Sequence, residues 1–405
     1  MSSMSGLTLP SVEASQPELQ SFGRATLSDY FGDFVIYRNL EPLDRRIPGL
    51  KFAYYRMGLP DERIPRKLDA EYAKAAIWLA KQGQRMRGET TELSELVFVG
   101  DTLHSDGQAY ANMIEVSGWA GSCAIGRACP EEDVVVDIDE DAAVYCVNRW
   151  CALDDWVKWT LERGLHLDRR TVAVIDIDKT ALGAKGRNDQ VINEARQEGI
   201  YRTMVDVLGE NFDRDAFEKE YTELNRARYH FLTADNQDYL AYICLVLNSE
   251  LVTFDEILQE IANGSLANFE QFLRWVDTRI KSTAGAGESL RQTHEAVLAS
   301  VRAGDPTPFK YFRRREFVAT IARMGNVPDD APVEQMLAEE ITLTNEVAEL
   351  ASWLSERGCL LICLSDKPDE ASVPDKRVSP DLVPVHRAQT HLVGTSIREA
   401  LDALA

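Results

Sequence analysis

The residues best suited to chemistry are acidic and directly follow an apolar run of the chain. Residues 172–175 read Val-Ala-Val-Ile, and Asp176-Ile-Asp178-Lys-Thr180 comes next. In open α/β sheets, ligands bind at the carboxyl ends of buried strands, where such polar residues lie. Asp176 suits a nucleophile, because carboxylates form phosphoenzyme intermediates. Asp178 is placed to act as a general acid and then as a general base.

A second acidic group precedes the first in the chain. Residues 96–99 form another apolar run, which ends in Gly-Asp101 and then Asp106. Together with Asp176, these side chains supply the oxygen ligands that Mg²⁺ prefers. A metal there would neutralise carboxylates that otherwise repel a phosphate. The two groups together predict phosphoryl chemistry at one site.

Regular patterns surround these groups. Residues 69–82 carry apolar residues at helical spacing, and residues 150–163 predict a second helix. Between them, residues 117–147 contain short apolar runs separated by turn residues, which predict further strands. This alternation of helices and strands predicts an α/β fold with a parallel sheet and helices on its faces.

The pattern changes after the Asp-x-Asp-x-Thr group. Residues 183–189 contain two glycines and predict a flexible, hinge-like stretch, and residues 191–345 have helical periodicity almost throughout. Thr253 and Glu256 form a capping box at the start of one predicted helix. The alternating pattern then returns, with a helix followed by an apolar strand at 359–364.

The domain boundaries follow from these changes of pattern. We expect a discontinuous α/β core made of residues 1–182 and 346–405. We expect a large, all-helical domain at 183–345, inserted after the strand that carries the Asp-x-Asp-x-Thr group.

Three strand-ended signatures carry a family resemblance. Asp-x-Asp-x-Thr follows one strand, Ser365 follows the 359–364 strand, and Gly-Asp-x-x-x-x-Asp follows the 96–99 strand. They resemble motifs I, II and IV of the haloacid dehalogenase-like superfamily. The resemblance implies a Rossmann-like, three-layer α/β core, Mg²⁺ dependence and an aspartyl-phosphate intermediate. It also implies that the helical insertion serves as a substrate-gating cap.

The resemblance assigns a role to each of these residues. It implies that Asp176 is the nucleophile, Asp178 the acid and base, and Thr180 a support residue of motif I. It implies that Ser365 binds the phosphate and that Thr180 belongs to the same phosphate-binding set. The implied metal site draws on four aspartates, with Asp106 behind the direct ligands or bridged to the metal by water: Asp101, Asp106, Asp176 and Asp178.

The order of the motifs departs from the family. The family runs I, cap, II, III, IV, whereas this chain runs IV, I, cap, II. Circular permutation explains this order, because permutation is tolerated where chain termini lie close together at the surface. If the order is not a permutation, the two acidic groups lie in separate domains, far from each other.

Motif III of the family supplies a lysine or arginine beside the nucleophile. The stretch Arg66-Lys67-Leu-Asp-Ala-Glu resembles the family's Lys-Pro-Asp-Pro-Glu pattern, so Lys67 is the candidate for a catalytic cation that holds Asp176 and the phosphate together. Arg66, Lys74 and Lys367 are the alternatives. Near the predicted hinge, Lys185 and Arg187 are candidates to reach the phosphate when the cap closes.

The composition of the chain restricts the classes of partner that the protein is expected to bind. The net charge is −22, which argues against nucleic acid as the main partner, because binding to its backbone requires clustered basic residues. No apolar run approaches the roughly 20 residues that span a bilayer, which argues against a membrane. The amino-terminal residues lack the features of a signal peptide, so we expect a cytoplasmic protein. The sequence does not define an oligomeric state.

Seven cysteines in a chain without a secretion signal indicate reduced thiols. Cys123, Cys129, Cys146 and Cys151 raise the alternative of a zinc site, but their spacings are wider than those of usual zinc motifs. Buried thiols are the favoured interpretation.

The combined interpretation is a Mg²⁺-dependent phosphohydrolase that acts on a small phosphorylated metabolite. A phosphomutase or phosphotransferase would use the same residues and differ only in the acceptor. The third alternative is a non-catalytic member that binds a ligand in the pocket or a protein on the helical domain.

Overall fold

The computed structural model describes residues 18–128, 133–283, 287–377 and 379–404. The chain divides into two compact units. Unit 1 comprises Met1–Asn193, Ile321–Ser372 and Val383–Ala405, and unit 2 comprises Glu194–Thr320 and Val373–Leu382. Both units are therefore assembled from segments that are distant in the sequence.

The ten described strands lie in unit 1. They are β1 (Gln20–Ala25), β2 (Val35–Ile36), β3 (Glu95–Gly100), β4 (Ala120–Gly126), β5 (Val136–Asp139), β6 (Val144–Val147), β7 (Thr171–Ile175), β8 (Leu343–Thr344), β9 (Leu360–Leu364) and β10 (Thr390–Gly394).

Seven of these strands form one sheet in the order β2-β9-β7-β3-β4-β6-β5. Every neighbouring pair is parallel except β5 with β6, which is antiparallel at the edge of the sheet. The residues of β3, β7 and β9 are buried throughout. Strands buried on both faces read as continuous apolar runs, which is why these three were visible in the sequence.

The α-helices in the described ranges are numbered α1 to α16, and each contains at least four residues. They are α1 (Ser28–Phe31), α2 (Leu50–Ala53), α3 (Ala70–Met86), α4 (Gln108–Ser117), α5 (Leu153–Glu162), α6 (Asp189–Leu208), α7 (Arg214–Leu224), α8 (His230–Thr233), α9 (Gln237–Asn248), α10 (Phe254–Ala262), α11 (Phe269–Ser282), α12 (Glu288–Arg302), α13 (Lys310–Ile321), α14 (Val333–Glu339), α15 (Asn345–Glu356) and α16 (Arg398–Asp402).

Each unit has an apolar core of its own. In unit 1, α3 packs buried residues such as Tyr72 and Leu79 into the same cluster as Phe98 of β3 and Ile362 of β9. In unit 2, α9 is buried along most of its length and shares a core with residues of α11 such as Phe272. Burial of apolar surface on this scale is the main force that holds either unit together.

Side-chain caps begin several helices of unit 2. Thr253 and Glu256 form the predicted capping box at the start of α10, with hydrogen bonds in both directions. Asp213, Asn236 and Asn268 accept hydrogen bonds from the first turns of α7, α9 and α11. These contacts satisfy backbone donors that a helix leaves free at its start.

The predicted fold class is confirmed at the level of a mixed α/β protein with a mostly parallel sheet. Three details differ from the expectation. The edge strand β5 is antiparallel, a second sheet of order β1-β10-β8 is present, and β8 lies inside the segment that we expected to be all helical.

The helical unit is also narrower than the predicted domain of residues 183–345. Residues 183–193 and 321–345 belong to unit 1, whereas residues 373–382 join unit 2. None of the helices in the described ranges combines the length and the apolar character that a membrane crossing requires.

The close approach of α6 and α13 in unit 2 yields a stability prediction. A methyl group at Gly199 would lie 2.6 Å from the backbone N and Cα of Glu316. Gly199→Ala should lower the free energy of unfolding by about 1–3 kcal/mol because the helices must separate. Helix propensity alone predicts a gain of about 0.5–1 kcal/mol. Urea denaturation followed by circular dichroism measures the change.

Val205→Ala in the same helix is the matched control, because Val205 is exposed. It should change stability by less than about 0.5 kcal/mol. A Gly199→Ala variant as stable as the wild type would contradict the tight packing.

Candidate functional site

Three neighbouring strands deliver the predicted site residues to one edge of the sheet. Strand β7 lies between β3 and β9 and runs parallel to both. Asp176 follows β7, Asp101 follows β3 and Ser365 follows β9. Because the three strands are parallel and adjacent, their carboxyl ends meet at the same place although the segments are far apart in the chain.

Asp101, Asp106 and Asp176 form a compact carboxylate cluster. One carboxylate oxygen from each lies within 4.8 Å of the others. The alternative in which the two acidic groups occupy separate domains is therefore wrong. Asp106 and Asp176 are buried, and Asp101 is partly exposed. We name these three residues the aspartate cluster.

Local backbone geometry places Asp106 in the cluster. It lies in a single π-helical turn, Leu103–Gly107, directly after β3. One of its carboxylate oxygens accepts hydrogen bonds from the backbone N–H groups of Asp101 and Thr102, each at 2.9 Å. A Cβ atom at Gly100 would lie 2.5 Å from that carboxylate, so glycine is required for this approach. Such π-helical turns are frequent at functional sites.

Lys67 joins two members of the cluster. Its Nζ lies 2.5 Å from Asp106 and 2.7 Å from Asp176. Only 4% of the Lys67 side chain is exposed. Of the alternatives, Lys74 pairs with Glu71 at a partly exposed position of α3. Lys67 therefore has the contact with Asp176 that the family's motif III lysine is expected to make.

Burial and mutual repulsion shift the pKa values in this cluster. Burial raises the pKa of Asp176 well above its usual range, and the nearby carboxylates of Asp106 and Asp101 add to this against the opposing effect of Lys67. Burial and Asp106 likewise raise the pKa of Asp101. Burial acts to lower the pKa of Lys67, but Asp106 and Asp176 outweigh it and keep that pKa well above its usual range. Lys67 is thus a permanent cation.

Asp178 lies outside the aspartate cluster. Its carboxylate pairs with Nζ of Lys367 at 3.2 Å. Lys367 is buried, and its backbone N–H donates to the hydroxyl of Ser365 at 3.1 Å. The predicted acid and base, the predicted phosphate-binding serine and a second lysine are therefore joined. The predicted set of metal ligands included Asp178, whereas its side chain here contacts a lysine.

Thr180 occupies the turn after β7. Its backbone carbonyl accepts a hydrogen bond from the hydroxyl of Thr344 at 2.5 Å. Its own hydroxyl is buried and has no hydrogen-bond partner among the described residues. An orphaned buried hydroxyl is unusual, and it is the kind of group that a bound ion or ligand satisfies.

Lys185 supplies a contact that the sequence did not predict. Its Nζ lies 3.0 Å from a carboxylate oxygen of Asp101. Arg187, two residues on, instead pairs with buried Glu346. His104, which lies between the two motif IV aspartates, is exposed. No spacing rule in the sequence indicates the Lys185–Asp101 contact, because it joins the ends of two separate loops.

The stretch 183–189 is held in place, contrary to the hinge that its composition suggested. The backbone N–H of Gly183 donates to Thr342, and the side chain of Asn188 bonds to the backbone of Leu337, Glu340 and Thr342. These bonds anchor the segment within unit 1.

The aspartate cluster fits a divalent cation. When all three carboxylates are ionised, the shared lysine leaves two negative charges, which a divalent ion balances. Hard, all-oxygen ligands favour Mg²⁺ or a similar cation over thiophilic metals. In the described part of the chain it is the single group of three or more such ligands. Cys129, one of the candidate zinc ligands, lies outside the described residues.

Comparison with known proteins adds no family assignment. No family model, no curated protein and no solved structure matches this chain.

The raised pKa values of Asp101 and Asp176 yield a pH prediction. In the metal-free protein, the folded state keeps protons that the unfolded chain releases above the ordinary pKa of 3.8. Folding stability should therefore fall as pH rises above that value, by about 1.4 kcal/mol for every tenfold difference in proton affinity between the folded and unfolded states. Mg²⁺ requires the ionised carboxylates, so its stabilising effect should grow over the same range. Calorimetry between about pH 5 and pH 8, with and without Mg²⁺, measures both trends.

Asp101→Asn removes one of these titrating groups. It should weaken the Mg²⁺-induced rise in Tm at every pH. A Tm that responds equally to Mg²⁺ at the two ends of that pH range would contradict the assignment of the cluster as the metal site.

Proposed function

We propose that this chain is a Mg²⁺-dependent phosphohydrolase of the haloacid dehalogenase-like type with circularly permuted motifs. The observation that carries the proposal is the contact of Lys67 with Asp176 inside the aspartate cluster. An acidic cluster alone is a common feature. The resemblance requires a buried lysine in contact with the candidate nucleophile. It also requires that nucleophile to lie where three adjacent parallel strands end.

The proposed first step is attack by a carboxylate oxygen of Asp176 on the phosphorus of the substrate. A P–O bond forms to Asp176, and the bond to the leaving oxygen breaks. Asp178 donates its proton to that oxygen. Lys67 keeps Asp176 oriented, and a bound Mg²⁺ supplies positive charge to the phosphoryl oxygens.

The second step hydrolyses the aspartyl phosphate and regenerates the free carboxylate of Asp176. Water attacks the phosphorus of the aspartyl phosphate, Asp178 accepts a proton from that water, and inorganic phosphate leaves with Asp176 again a carboxylate. Lys367 contacts the Asp178 carboxylate, and its backbone N–H bonds to the hydroxyl of Ser365, so Asp178 is held near the proposed phosphate ligand.

Permutation is part of the same proposal. The three motif strands are neighbours in the sheet although motif IV precedes motif I in the chain. A site built from strand ends depends on which strands are adjacent, and the order in which the chain visits them is immaterial. The helical unit 2 has its own core, and its main segment, Glu194–Thr320, lies between motifs I and II in the sequence, where the family carries a cap. We propose that it acts as that cap.

Replacement of the nucleophile tests the reaction directly. Asp176→Asn should lower kcat for a generic phosphate ester such as p-nitrophenyl phosphate by at least about 10³-fold in the presence of Mg²⁺. Phosphate release measures turnover, and circular dichroism confirms the fold. Asp155→Asn, an exposed aspartate on α5, is the matched control and should keep full activity.

Three outcomes would redirect the proposal. Unchanged turnover in Asp176→Asn would overturn the assignment of the nucleophile. Transfer of the phosphoryl group to a second substrate without phosphate release would favour a mutase or phosphotransferase. No turnover of a broad panel of phosphate esters by the wild type would favour a non-catalytic, ligand-binding protein.

The role of Asp178 can be tested separately by comparing substrates that have different leaving groups. Asp178→Asn should lower kcat for an alkyl phosphate by about 10²–10⁴-fold, because an alkoxide needs a proton to leave. The loss with p-nitrophenyl phosphate, whose leaving group is stable as an anion, should be clearly smaller in the first step. Burst kinetics that resolve the two steps measure the difference. Equal losses for both esters in that step would contradict a role as general acid.

A further inference from the structure

Two lysines that differ in exposure contact the aspartate cluster. Lys67 is 4% exposed and lies between two carboxylates. Lys185 is 24% exposed and contacts Asp101, the most exposed member of the cluster. A lysine that keeps contact with solvent can leave its partner more readily than a buried lysine shared by two carboxylates.

The backbone of Lys185 is fixed although its side chain reaches solvent. Its N–H donates to the carbonyl of Lys179 at 2.8 Å, and its own carbonyl accepts from the indole N–H of Trp150 at 3.1 Å. The next residue, Gly186, donates its N–H to Asp189. The main chain therefore presents the Lys185 ammonium to Asp101, and the flexible part is the aliphatic stem alone.

We propose that Lys185 is a built-in competitor for the divalent cation and sets the affinity of the metal site. This inference rests on the proposed function, because it takes the aspartate cluster as the metal site. When the three carboxylates are ionised, Lys67 and Lys185 together leave one negative charge on the cluster. Departure of Lys185 from Asp101 leaves two, so the divalent ion and the lysine exchange for each other at the same carboxylate.

The exchange has a functional consequence within the site. Without a metal, Lys185 lowers the repulsion among three carboxylates that lie within 4.8 Å of one another. When a metal takes Asp101, the displaced ammonium stays tethered beside the cluster by its fixed backbone. Lys185 is therefore a positioning residue that tunes metal binding.

The test is a titration with Mn²⁺, whose unbound fraction is read by electron paramagnetic resonance without any assay of activity. Lys185→Met keeps the aliphatic stem and removes the charge, so Mn²⁺ should bind about tenfold more tightly. Lys185→Arg keeps the charge and should bind within about twofold of the wild type. Lys158→Met, at an exposed position of α5, removes the same charge elsewhere and should also leave binding unchanged. Competition with Mg²⁺ should show the same order.

The outcomes separate this inference from the proposed function. A wild-type protein that does not bind Mn²⁺ would overturn the metal site and the inference with it. Wild-type binding with no gain in Lys185→Met, or with a loss, would overturn the inference alone. If Lys185→Met does not fold by circular dichroism, Lys185→Gln takes its place, and the same gain in affinity is expected.

Discussion

The structure of the site depends on keeping three aspartates together against their mutual repulsion. Unpaired, buried carboxylates are costly, and the raised pKa values of Asp101 and Asp176 express that cost. Lys67 offsets part of it by lying between Asp106 and Asp176. The segment before α3 and the ends of β3 and β7 are thereby linked by charge, so the loops at this edge of the sheet form one electrostatic unit.

Sheet topology explains how such a unit can be assembled from distant segments. Strands β3, β7 and β9 carry the three signatures and are adjacent in the order β9-β7-β3, and long stretches of chain separate them in the sequence. Parallel strands bring their carboxyl ends to one edge whatever the connections between them. The position of one acidic group ahead of the other is therefore compatible with a single site, and the distances within the aspartate cluster show that the two groups meet.

The sequence predicted the parts of this arrangement that depend on local pattern. The buried strands read as apolar runs, α3 and α5 as helical spacing, and Asp101, Asp176 and Ser365 as polar residues at strand ends. Lys67 required the family resemblance, since no periodicity indicates it. Strand β1 escaped notice because its residues are exposed and mixed in character, and its partner β10 lies near the other end of the chain. The glycines of 183–189 suggested flexibility, yet residues about 150 positions later anchor this stretch, which local composition cannot reveal.

The contacts of the lysines show why residue type alone could not predict the roles in this site. Lys67, Lys185 and Lys367 come from three distant segments, and each contacts a different aspartate or pair of aspartates. Their burial differs, and burial decides function here because it sets how easily a cation can leave its partner. Lys67 is therefore a fixed part of the cluster, whereas under our proposal Lys185 is exchangeable. On that proposal the site combines fixed and exchangeable cations around its carboxylates, so an incoming metal would replace one contact and leave the others in place.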